Sequence, residues 1–288
     1  MQKRSIVALV VAVVGLAGCS SIMSSATGRL ADGLTAAVLN QDDPETVRQG
    51  APAYLLMVDG LVAESPDDAD LLRTAAELYS SYTAAFVEDD ERAARLSQRA
   101  REYGLRALCA AARRSCGLAE APYQEFEASV ASLQARHVPA MFAAGAAWAT
   151  WIQVRRGDWV AVADKARVEE IMRRVVELDE AYRDGAAHLY LGVLATLIPE
   201  GMGGRPEDGR RHFERALALS GDRDLTARLL LAREYARAVY DRELHDRMLE
   251  ELLAEDPVAP GLTLGNVLAR EEAERLLATA DDYFGEDP

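Results

Sequence analysis

The sequence predicts an all-α protein built as a solenoid of stacked helix hairpins. Three observations carry this. From Pro44 onward the apolar residues recur with a period near 3.6 and almost nowhere with a period of 2, as expected of helices with one buried stripe. Proline and glycine fall mainly between the periodic runs, where they stop helices. The connections are short, so consecutive helices fold back on one another, and half of all residues are apolar, enough for a continuous core.

The first segment is not part of that fold. Lys3 and Arg4 precede an uncharged apolar run from Ile6 to Ala17, the layout of a secretory signal. The run is about twelve residues, and a membrane-crossing helix needs roughly 20. It ends in Leu16-Ala17-Gly18-Cys19, which resembles the lipobox of bacterial lipoproteins. That resemblance implies cleavage after Gly18 and lipidation of Cys19, a durable tether because several acyl chains anchor far more firmly than one. Ser20 and Ser21 follow the cysteine where an aspartate would hold a lipoprotein in the inner membrane, so the outer membrane is the expected location. Residues 1–18 are thus predicted as a signal peptide, 19–44 as a lipidated tether rich in Ser, Ala, Gly and Thr, and 45–284 as the helical repeat domain.

Processing leaves 30 basic against 47 acidic residues, a net of about −17. Such a chain repels polyanions, and nucleic acid is excluded as a partner. Helices are expected at about 45–64, 67–87, 90–114, 122–137, 140–155, 158–178, 184–198, 206–220, 224–239, 241–254 and 261–283. Cys109 and Cys116 are seven residues apart, about 10.5 Å on an unbroken helix, beyond the roughly 7 Å limit for a bridge. A disulfide between them requires the helix to end near Arg113 or Arg114, which Gly117 allows; otherwise they are two free thiols.

Internal similarity is sharpest at His188-Leu189-Tyr190-Leu191-Gly192, followed after a long loop by Gly209, Phe213 and Ala216. This unit resembles a tetratricopeptide repeat: Leu191-Gly192 stand in its first helix, and small, aromatic and small residues mark its second, letting neighbouring helices approach closely. The loop is longer than the consensus, and Ser220-Gly221 replace the expected proline. Other units are degenerate.

Read in order, the lipobox, Tyr79-Ser80-Ser81-Tyr82 with Phe86, Trp148-Ala149-Thr150-Trp151-Ile152, Arg174 to Asp179, Gly185 to Gly192, Gly203-Gly204-Arg205-Pro206, His212 to Ala216 and Leu264-Gly265-Asn266-Val267-Leu268-Ala269 resemble the TatT family, the T components associated with tripartite ATP-independent periplasmic (TRAP) transporters. The resemblance implies a periplasm-facing, lipid-anchored protein of tetratricopeptide type. It also implies a homo-oligomer, a trimer, whose partner is a periplasmic TRAP-type solute-binding protein and which passes on a small ligand. It carries no catalytic residues and no cofactor. A general envelope-assembly scaffold of the same repeat type is the alternative.

Enzymatic signals are missing. His137, His188, His212 and His245 show no close metal spacing, the cysteines form no CxxC, and neither a GxSxG elbow nor a P-loop occurs. In Gly201-Met202-Gly203-Gly204, Pro206 takes the place of the third glycine of a nucleotide-binding turn. Acidic clusters such as Asp89-Asp90-Glu91, Glu271-Glu272 and Asp281-Asp282 suit helix starts and solvated ends. No metal site is expected. One constellation could hold an apolar ligand: Phe142, Trp148 and Trp151 on the Ala- and Gly-rich segment from Ala140 to Val154, either as a groove lining or as ordinary core. Tyr79, Tyr82 and Phe86 share one helix face and are expected in the core.

Overall fold

In a computed structural model, residues 33 and 36–285 are described. The predicted signal peptide, Cys19 and most of the tether lie outside them. The described residues are helical, with no strand among them. In chain order the helices are α1 (Pro44–Glu64), α2 (Ala69–Phe86), α3 (Asp90–Ala111), α4 (Tyr123–Ala131), α5 (Val138–Val154), α6 (Trp159–Ala163), α7 (Lys165–Leu178), α8 (Ala186–Thr196), α9 (Pro206–Ser220), α10 (Leu225–Leu230), α11 (Arg242–Ala254), α12 (Thr263–Ala278) and α13 (Ala280–Phe284).

Aspartate starts many of these helices. Asp43, Asp68, Asp89, Asp158, Asp224 and Asp241 each accept a hydrogen bond from a backbone N–H of the first turn, satisfying donors that the helix itself leaves open. Six of the chain's 47 acidic residues thus serve as helix caps. Of Asp89-Asp90-Glu91, Asp89 is the cap, and Asp90 and Glu91 lie in the first turn it starts.

Small residues decide how the helices pack. α2 and α3 lie side by side, and α5 packs against both. A Cβ on Gly104 of α3 would stand 2.8 Å from the Ala144 Cα of α5, so the two backbones are already in contact. Ala75 and Ala76 of α2, Ala100 and Ala107 of α3, and Ala143 and Ala147 of α5 are all buried in the same cluster. The Ala-rich stretch of α5 is spent on this close approach. A second such crossing joins α8 and α9, where a Cβ on Gly192 would meet the Phe213 ring at 2.3 Å.

α7 packs on α5, α8 on α7, α9 on α8, α10 on α9, and α11 and α12 complete the series. α12 also touches α1. Leu264 is buried in the same cluster as Val47, Leu55 and Val58 of α1, and the Gly261 N–H donates to Asn40 Oδ1 at 2.8 Å. Asn266, 1% exposed, ties the same corner together. It accepts from the Leu225 N–H and donates to the Arg223 and Pro257 carbonyls, so every arm of this buried amide is used.

Several predicted helices are shorter or divided. The segment expected at 158–178 breaks at Asp164 into α6 and α7. Asp164 accepts from the Trp148 indole N–H at 3.1 Å and sits 3.6 Å from Arg101, interactions that tie the break to α5 and α3. The segment expected at 122–137 ends as a helix at Ala131 and resumes as a short 3-10 turn, Ala135–His137. α3 ends at Ala111 and the chain turns through Arg113–Ser115, which brings Cys109 and Cys116 to a Cα separation of 4.5 Å with a disulfide between them. Beyond α10 the helix widens into a π-helical segment, Leu231–Ala236, and the chain then turns at Tyr240, whose φ is +59°.

Candidate functional site

The residues singled out for an apolar groove are mostly core. Trp148 is fully buried, with Phe126 edge-on to its ring and Arg101 4.6 Å from it. Phe142 is 4% exposed and meets Tyr182 and Tyr190 edge-on. Trp151 is half-buried between Arg101 and Arg155, at 4.6 and 4.9 Å. None of the three lines either of the two polar cavities below. Tyr79, Tyr82 and Phe86 are buried together, and Tyr79 and Tyr103 both donate to Asp59.

The first cavity, about 590 Å³, lies where α5, the π-helical segment, α12 and α13 converge. Four arginines line it: Arg156 at the end of α5, Arg233 and Arg237 around the π segment, and Arg275 on α12. Two carboxylates accompany them. Glu234 accepts from Arg233 at 2.8 Å, and Glu272 accepts from Arg275 at 2.8 Å and lies 3.9 Å from Arg233. Arg237 stacks 3.8 Å above the Tyr283 ring of α13, whose hydroxyl donates to the Arg237 carbonyl. Neither Arg156 nor Arg237 has a carboxylate within ion-pair distance among the described residues. The π segment adds one residue to its turn, which changes the faces on which Arg233, Glu234 and Arg237 fall.

The second cavity, about 470 Å³, lies between α7, α8 and α9. Its four arginines are matched internally: Arg173 with Glu170, Arg205 with Glu169, Arg211 with Asp208 and Arg215 with Glu180. At its floor His188 and His212 face each other with Nδ1 atoms 2.8 Å apart, and His188 Nε2 lies 3.2 Å from Glu180. These contacts set the tautomers. His188 donates through Nε2 to Glu180, so its Nδ1 is bare and accepts the Nδ1 proton of His212. Burial, and then the neighbouring His188, push His212 down to about 4; burial also lowers His188. Hydrogen bonding from Arg215 holds the Glu180 carboxyl down at about 2.

Because His212 binds its proton more weakly when folded, its contribution to stability is complete above pH 6.5 and is lost as pH falls towards 4. Moving from pH 7 to pH 5 should cost roughly 1–3 kcal/mol of unfolding free energy. Urea titrations of the parent and of His212→Gln check this. The variant should lose clearly less over the same interval; an equal loss in both would refute the assignment.

No group of three or more His, Cys, Asp or Glu side chains among the described residues is placed to hold a metal ion, and none of the described helices is long and apolar enough to cross a membrane. None of the cavity arginines stood out as a site in the sequence, where Glu272 read only as half of the solvated pair Glu271-Glu272. Their one signal was a local excess of arginine in a strongly acidic chain.

The described residues thus form an all-helical protein with two arginine-rich cavities between its helices. The chain belongs to the TRAP transporter T-component family, whose model matches residues 40–284, nearly all of the described helical stack. Membership places it on the periplasmic side of a TRAP transport system, as an accessory component rather than a member of a known enzyme family. No curated protein matches the chain significantly.

Proposed function

We propose that this protein is the lipid-anchored accessory of a TRAP transport system, binding the system's periplasmic solute-binding protein and passing a small ligand. The family match over residues 40–284 carries this reading. The packing order is consistent with it: each helix from α7 to α10 packs on the one before, as in degenerate tetratricopeptide-type repeats that offer a partner a continuous surface. In this reading Cys19 carries the lipid, the anchor lies in the outer membrane, and the protein assembles as a homotrimer.

Affinity capture from a periplasmic extract, with residues 20–288 carrying a C-terminal tag, tests the partner. A TRAP-type solute-binding protein should co-elute in stoichiometric amount. Its repeated absence, with envelope-assembly proteins recovered instead, would replace this function with that of an assembly scaffold.

A further inference from the structure

We propose that the cavity between α5, the π-helical segment, α12 and α13 is a binding site for a small dianion bearing oxyacid groups. This inference stands on the cavity alone and does not depend on the identity of the protein partner. The charge of the lining argues for it. Four guanidinium groups meet two carboxylates, a local surplus of two positive charges in a chain whose formal net charge is −15. In so acidic a chain, a pocket of opposite sign concentrates field lines on a small anion while the rest of the surface repels it.

The surplus has an address. Glu234 and Glu272 are occupied by Arg233 and Arg275, which leaves Arg156 and Arg237 as the lining donors without a carboxylate among the described residues. Each guanidinium presents a planar fork that fits one carboxylate or phosphate edge in two parallel hydrogen bonds. Two forks and two surplus charges match one dianion. Arg237 is held in place by the Tyr283 ring, so less side-chain freedom is lost when it engages a ligand. The second cavity is the internal contrast. Its arginines are each matched to a carboxylate.

The π segment is independent support. π turns are rare within α-helices and are frequently found at functional sites. Here it lies in the cavity wall and carries Arg233 and Glu234, with Arg237 directly after it.

Phosphate monoesters and small dicarboxylates share this chemistry, and titration calorimetry of the unmodified chain with glycerol 3-phosphate, glutarate and acetate separates them. At least one dianion should bind, and acetate at least tenfold more weakly. Preference for the phosphate ester would define a tetrahedral headgroup, and preference for glutarate a planar pair; either supports the site. The double variant Arg156→Gln/Arg237→Gln should lose at least tenfold in affinity while keeping its circular dichroism and melting temperature. Glu234→Gln, which removes one of the two cavity carboxylates and leaves Arg233 only the more distant Glu272, should tighten binding several-fold. Arg211→Gln in the second cavity should change nothing. Failure of both dianions to bind up to 10 mM, at about a tenfold margin over the weakest useful millimolar affinity, would overturn the proposal. So would affinity unchanged in the folded double variant.

Discussion

Replacing Trp148 with alanine should lower the unfolding free energy by about 3–5 kcal/mol. The indole is fully buried, so its loss leaves a large void between α4, α5 and α7. The void is only part of the cost. The indole N–H donates to Asp164, and Arg101 lies 4.6 Å from the ring; without the ring, the Asp164 carboxylate at the α6–α7 break loses this hydrogen bond while keeping Arg101 and Arg167 at 3.6 and 3.7 Å, so the lost bond adds modestly to the penalty. Trp151→Ala is the informative comparison. Trp151 is half-buried and its indole N–H has no partner among the described residues, so its truncation should cost no more than about 2 kcal/mol. Urea unfolding followed by circular dichroism measures both. Equal losses would show that the two rings share one supporting role and that the burial difference does not matter. If Trp151→Ala also abolished ligand or partner binding in a folded protein, the apolar-groove reading of this helix would regain ground.

Gly192→Ala is the second large effect. Its added Cβ would stand 2.3 Å from Phe213 Cε1, with two further ring carbons at 2.7 Å. The ring is fully buried in a close-packed crossing, so α8 and α9 must separate. Overpacking of this kind costs about 1–3 kcal/mol and sometimes more. For a domain of this size that corresponds to a fall of roughly 3–10 °C in melting temperature. The companion Gly192→Ala/Phe213→Leu should recover part of the loss, because the smaller side chain vacates the clash; neighbouring residues that share one contact are not additive. A single variant as stable as the parent would mean that the two helices are not held at this distance.

The contrast between these two sites explains what could be read in advance. The all-α class was legible because helix periodicity and aspartate starts are local properties. The α8–α9 crossing was legible too, since Gly192, Gly209, Phe213 and Ala216 recur at spacings that only a close helix pair requires. The break at Asp164 was not legible. It depends on Trp148 and Arg101, 16 and 63 positions away in sequence, and within 158–178 alone the apolar period runs on undisturbed. The π segment was hidden for a related reason. Leu231 to Ala236 has ordinary helix formers, and the segment packs against α9 and α11, which lie elsewhere in the sequence. The arginine cavity escaped because its walls come from 153–156, 233–238 and 272–283, joined only when the late helices return to α5. The aromatic cluster of α5 drew attention to the buried face of that helix, whereas the cavity lies at its polar end.

That return has a further consequence for how the molecule comes apart. In an open row of helix pairs each unit touches only its neighbours, and melting starts at whichever end is free. Here α12 rests on α1, and the Gly261 amide donates to Asn40. Among the described residues the row has no free end in the usual sense: fraying of α1 exposes Leu264, and fraying of α12 uncovers Val47, Leu55 and Val58. Local opening at either terminus therefore carries the cost of both, which raises the free energy of the first step of unfolding and draws the late helices into one cooperative unit with the early ones. A cavity walled by both halves keeps its shape for the same reason.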